Sequence, residues 1–202
     1  MILTIDSKTV DLPRQPDEAL TAYLDRVADL LIKEHRSIGT CLIDGQAVTL
    51  DAQGQRLFAG GKEMQVESVP LLVALQANIA FQCNALRRME GECETLITDS
   101  LLVEPVKVAA AWNVLCEAIK GGVEFLRVLE GLLTKEEVDL IVDDKLAKLG
   151  QVMKEIAAIM AKGDVVGFSD QLEMQLLPWL ADFRKFLEGQ VERVDALIAK
   201  QP

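Results

Sequence analysis

The side chains best suited to catalysis are few: one histidine, His35, and four cysteines, Cys41, Cys83, Cys93 and Cys116. A cysteine nucleophile needs a neighbouring imidazole or other cation to favour the thiolate, and only Cys41 lies near His35 in sequence. Cys41 falls in a run that reads as a strand, a setting that gives no reason for a lowered thiol pKa. No CxxC or CxxH spacing occurs, so all four are expected as buried, reduced thiols. Di-iron carboxylate chemistry needs a Glu-x-x-His on each of two helices, which one histidine cannot supply. Gly60-Gly61-Lys62 has the end of a phosphate-binding loop, yet Arg56 stands where its first glycine belongs and Glu63 where Ser or Thr must follow. Glu136, Glu137, Asp139, Asp143 and Asp144 form the densest acidic run, with the oxygen ligands that hard cations prefer. The same residues in a first helical turn stabilise the helix dipole, which is the simpler reading. Catalytic, cofactor-binding and metal residues are therefore all left unassigned, and no cofactor is expected.

The elements that would position any site follow from composition and periodicity. Hydrophobic residues make up 50% of the 202 and aromatics 4%, so the core must come from Leu, Val, Ile and Ala, a mixture that suits packed helices. The net charge of −11, spread along the chain without a basic run, argues against nucleic acid as a partner, because phosphate binding needs a cationic surface. No stretch of 18 apolar residues occurs and the N-terminus lacks a basic segment before a long apolar one. A cytoplasmic protein without a membrane partner is the expectation.

Residues 1 to 12 alternate apolar and polar about Asp6-Ser7-Lys8, which predicts two short strands. From Asp17 the spacing changes: Leu20, Tyr23, Leu24, Val27, Leu30 and Leu31 predict a helix ending near Ser37, with Asp17 and Glu18 at its positive end and His35 near its last carbonyls. IGTCLIDGQAVTL predicts a hairpin turning at Asp44-Gly45, and EMQVESV a further strand. Residues 51–62 carry no pattern that decides their structure. The order resembles a small β-grasp-like ββαββ unit, so the reading is α+β, with residues 1–69 as this domain and 70–202 as an antiparallel four-helix bundle.

The bundle's first helix is expected over about 71–100 and its second from Pro105, with Gly121-Gly122 marking a close contact or a break. Thr134 and Glu137 have capping-box spacing and predict the start of a third helix that stops at Gly163. The fourth runs from Val165 or Ser169 nearly to the C-terminus. Within it EMQLLPWLADF places Pro178 mid-helix, where it removes an N–H and crowds the preceding turn, so a bend is expected there in preference to a break. Such a bend would open a groove lined by Trp179, Phe183 and Phe186, the partner-binding candidates for an amphipathic helix.

The segment AIMAKGDVVGFSDQLEMQLLPWLADFRKFL, with GGVEFLRVLEGL at 121–132, resembles a group of uncharacterised bacterial helical-bundle proteins carrying an acidic, leucine-rich LLPxL segment followed by an aromatic residue. The resemblance covers the C-terminal two-thirds and implies the bundle without an activity. With no catalytic constellation and more leucine faces than one bundle needs, the expected function is a non-enzymatic interaction module: an adaptor, chaperone-like protein or regulatory subunit, with a homodimer as one use of the surplus. The competing reading is a small-molecule or divalent-cation binder using a cavity between helices or the acidic cluster at 136–144.

Overall fold

The computed structural model describes residues 1–135 and 142–199, Lys135 by its backbone. The chain is α+β: a mixed five-stranded sheet with two helices comes first, and helices make up nearly all the rest. It divides into two compact units, Met1–Ala74 and Leu75–Pro202.

In the first unit, β1 (Ile2–Ile5) and β2 (Lys8–Val10) form a hairpin through Asp6 and Ser7, both at positive φ. Then come α1 (Leu20–Ile32), β3 (Arg36–Ile43), β4 (Gln46–Ala47), α2 (Ala52–Gly60) and β5 (Glu63–Pro70). The strand order is β2-β1-β5-β3-β4, with β1 and β5 parallel and the other pairs antiparallel. The Asp44-Gly45 turn has φ of 48° and 79°, the left-handed geometry that a two-residue hairpin loop demands. Leu20, Tyr23, Val27 and Leu31 recur at the helical interval and bury one face of α1 in a core with Leu3, Ile43, Phe58 and Met64.

Three local expectations change here. α1 starts at Leu20, because Asp17 sits at φ 56° and the Glu18 carboxylate, instead of facing the helix end, accepts from the Gln15 N–H and from Arg26 Nη1 at 2.9 Å each. It also stops at Ile32, well short of Ser37. His35 turns the chain at φ 54°, and Arg36 and Ser37 pair with Pro70 and Val69 in the sheet. Residues 52–60, undecided by pattern, are α2, whose first turn is capped by Asp51 accepting from the Gln53 and Gly54 N–H groups. The amides after the Gly-Gly pair are already engaged: the Lys62 and Glu63 N–H groups donate to the Asp44 carboxylate at 3.1 and 3.0 Å.

The second unit is built from α3 (Leu71–Leu102), whose first turn holds the unit boundary, α4 (Pro105–Lys135), α5 (Asp143–Met160), α6 (Val165–Gln171), a π-helical turn (Leu172–Leu176) and α7 (Leu177–Ile198). Leu75, Ile79, Leu86, Met89, Cys93 and Leu96 make the buried seam of α3, and Leu115, Ile119, Leu126, Leu129 and Leu133 that of α4. α4 passes through Gly121-Gly122 without interruption, since its seam on either side stays in register. Thr134 does not cap a helix. It lies in the last turn of α4, where its hydroxyl donates to the Glu130 carbonyl at 2.8 Å, and Glu137, the other half of the expected box, lies outside the described residues. Gly163 does end the α5 turn, at φ 69°.

Pro178 breaks nothing: α6, the π turn and α7 follow one another as continuous helical backbone. The adjustment falls one turn earlier, where the Leu177 N–H donates to the Leu172 carbonyl, five residues back. A widened turn just before a residue without an N–H leaves room for the pyrrolidine ring, so the continuous helix carries Pro178 without a break.

Candidate functional site

Among the described residues, titratable groups pair with one another in ion pairs and hydrogen bonds. On α7, Arg184 Nε donates to Glu90 Oε1 of α3 at 2.7 Å and Arg184 Nη1 to Glu188 at 3.0 Å, while Arg87 Nη2 donates to Glu188 at 2.7 Å. In the first unit, Ser68 Oγ donates to Asp6 Oδ2 at 2.6 Å, and Arg36 hydrogen-bonds Ser68. Each of these carboxylates is already matched by a donor. Of the acidic run, Glu136, Glu137 and Asp139 lie outside the described residues, and Asp143 accepts from Arg127 at 2.8 Å, so a guanidinium occupies the position a cation would take. Among the described residues no three His, Cys, Asp or Glu side chains gather as a metal set.

The thiols are unpaired: Cys83 and Cys93 are buried, Cys41 and Cys116 half-buried. Burial pushes Cys41 up to about 11 and Cys93 up to about 12, and raises Cys83 and Cys116 in the same direction. Protonated thiols of this kind are poor nucleophiles.

Four carboxylates are shifted the other way. The Ser68 hydroxyl and N–H hold Asp6 below its ordinary 3.8, the Gly54 N–H does the same for Asp51, the Gln15 N–H lowers Glu18 from 4.5, and the Arg184 guanidinium lowers Glu188. Folded values below unfolded ones mean that their stabilisation is complete above the ordinary carboxylate range and is lost as pH falls through the folded values. The urea midpoint is therefore expected to fall as pH drops below about 4. Asp6→Asn should blunt that acid sensitivity, and an unchanged acid limb would remove Asp6 from the account.

Trp179, Phe183 and Phe186, the partner candidates on α7, form an aromatic ladder. Trp179 and Phe183 stack with centroids 4.8 Å apart and Phe183 and Phe186 at 5.9 Å. Trp179 and Phe183 are buried and Phe186 half-buried. The ladder is fastened to α5, since Trp179 Nε1 donates to the Lys145 carbonyl at 3.0 Å and Lys145 Nζ lies 4.8 Å from the centre of the Phe186 ring.

A second apolar surface was not anticipated from the pattern. The α3–α4 turn and the α5–α6 turn share a concavity of about 230 Å³, lined by Pro105, Val108, Met160, Val165 and Phe168. Next in sequence to its lining residues, Leu101, Leu102, Val106 and Val166 are exposed by 57%, 78%, 79% and 62%. Large apolar side chains exposed to that degree around a pocket mark an interaction surface. Leu101 and Leu102 follow Ser100 directly but lie off the α3 seam, and this off-register position was the available signal. Glu104 and Asp164 stand on the same turns, Glu104 paired with Lys107 at 3.4 Å, and Asp170 lies in α6. Among the described residues no helix is long and apolar enough to cross a membrane. No protein-family model, curated protein or solved structure matches the chain.

Proposed function

We propose that this chain is a non-enzymatic protein-interaction module whose helical unit holds the apolar face of a partner's amphipathic helix at the end formed by the α3–α4 and α5–α6 turns. The observation that carries the reading is the exposure of Leu101, Leu102, Val106 and Val166 on the elements whose neighbouring residues line the 230 Å³ concavity. A pocket of that size takes one large apolar anchor, and the exposed side chains around it cover the neighbouring turns of a docked helix. The partner carries Lys or Arg beside its apolar stripe, matching Asp164, Asp170 and the chain's net charge of −11. The unpaired cysteines support a reducing compartment such as the cytoplasm.

Two architectural readings accompany it. The sheet order β2-β1-β5-β3-β4 with α1 packed on one face supports a β-grasp arrangement for the first unit. Ion pairs from α7 to α3 and the Trp179 hydrogen bond to α5 support an antiparallel four-helix bundle in which α6 and α7 count as one rod, the architecture implied by the bacterial LLPxL resemblance.

Selection from a library of amphipathic peptides differing in flanking charge tests the function. Lys- and Arg-flanked helices should be enriched by the native protein and lost in Leu102→Glu/Val106→Glu, which changes only exposed positions and is expected to shift the thermal midpoint by less than about 2 °C. Equal enrichment of acidic peptides, or enrichment that survives the double substitution, would refute the assignment. A concentration-dependent dimer abolished by the same substitution would hand this surface to a second copy instead.

A further inference from the structure

α3 and α4 are joined by Val103 and Glu104 alone, so they run antiparallel and residues equidistant from that connection stand level. Between them opens a concavity of about 580 Å³, lined among others by Arg88, Gly91, Glu92 and Thr95 of α3 and by Ala111 and Val114 of α4. Val114 is 65% exposed, and Val128, two heptads further along the same helix face, is 61% exposed. Phe81, 62% exposed, lies one heptad before Arg88 and so on the same face of α3. Large apolar side chains thus stand at this level of exposure along a face that the buried seams of both helices do not use.

The charges on this face say what fits it. Arg88 and Glu92 lie one turn apart on α3 with Gly91 between them, and Glu117 and Lys120 lie one turn apart on α4. All four are exposed, and none is in an ion pair among the described residues. The midpoints of the two pairs are nearly equidistant from the α3–α4 connection, so the pairs stand almost level. A single two-fold axis crossing both helices at that level lays α3 antiparallel on α3 of a second copy, and α4 on α4. It sets Arg88 against Glu92 of the partner subunit and Glu117 against Lys120 of the partner subunit, each contact occurring twice. The same operation puts Gly91 beside the axis and brings Val114 over the partner's Gly121. A Cβ built on Gly91 or Gly121 meets nothing within 4 Å, so at both places a second backbone can come close.

We propose that the α3–α4 face is a homodimer interface on which two copies of the chain pack antiparallel about Gly91, with Arg88–Glu92 ion pairs fixing the register. The face is self-complementary in charge, which a second copy matches without any foreign partner. It goes beyond the surface at the helix turns, which is assigned to other residues and to a basic amphipathic helix.

Sedimentation of the full chain over a range of concentrations tests it. The native protein should dimerise, and Arg88→Glu or Glu92→Arg, both at exposed positions, should weaken the dimer by about tenfold or more, because like charges then meet at both symmetry-related contacts. Mixed in equal amounts, the two variants should associate again, since each supplies the charge that the other has lost. Gly91→Leu, placed where the Cβ has open space, should keep the native thermal midpoint or raise it and still abolish the dimer by blocking the approach of the second backbone. Arg88→Glu should leave the selection of basic peptides at the helix turns unchanged, so the two assignments stand or fall separately. A native chain still monomeric at about 1 mM, a dimer indifferent to both charge substitutions, or variants that stay apart when mixed would each overturn the proposal.

Discussion

Phe183→Ala is expected to destabilise the helical unit by about 3–5 kcal/mol, the range for removing a buried aromatic ring. Phe183 is 2% exposed and stacks on both Trp179 and Phe186, so its loss unsupports two rings at once. The site cannot collapse easily, because the ring already borders a cavity, and the new void adds to it. Both tryptophans, Trp112 and Trp179, belong to the helical unit, so urea unfolding followed by tryptophan fluorescence reads the loss directly. Phe81→Ala is the control: that ring is 62% exposed, and its removal should cost no more than about 0.5 kcal/mol. A Phe183→Ala cost below about 1 kcal/mol would contradict the packing described for α7.

The second large effect belongs to the sheet unit. Gly54 lies in the first turn of α2, where a Cβ would come within 1.7 Å of the Thr49 carbonyl oxygen, a backbone atom that cannot swing aside. Gly54→Ala must therefore push α2 away from the chain that precedes it. That movement weakens the Asp51 cap and withdraws Phe58, fully buried and 5.3 Å from the Tyr23 ring, from the core. A cost of about 3 kcal/mol is expected, at the upper end for overpacking. Hydrogen-exchange mass spectrometry should show faster exchange in β1 and β5. Gly60→Ala, at the other end of the same helix with open space around it, should leave exchange unchanged or slower. If Gly54→Ala exchanges like the native chain, the close approach to Thr49 is not present.

Most elements were legible because their signals are local. Alternation identified β1, β2 and β5, Asp44-Gly45 identified the β3–β4 turn, and three-and-four spacing identified α3 and α4, while the continuity of α4 through the glycine pair stayed open until the structure. The failures have two physical causes: partners distant in sequence, and local hydrogen bonds that compete with the expected ones. The pattern carried α1 past His35, but Arg36 and Ser37 find ladder partners in β5. Thr134 has the spacing of a cap, yet within α4 its hydroxyl bonds back to Glu130. α2 is short and has only Leu57 and Phe58 as large apolar residues, so its order comes from the Asp51 cap and from Phe58 reaching Tyr23.

The candidate surfaces divide in the same way. Trp179, Phe183 and Phe186 could be picked out as a set from one helix face, whereas their fastening to Lys145 depends on α5 lying alongside. The pocket at the helix turns draws its walls from α3–α4 and α5–α6, segments remote in sequence.

What the amino-acid order determined unaided is the type and succession of most elements, because apolar period and turn geometry act over a few residues. Tertiary structure alone decided the parallel pairing of β1 with β5 and which apolar side chains stay exposed. Those outcomes depend on surfaces meeting across long loops of chain, and burial free energy there outweighs local preference.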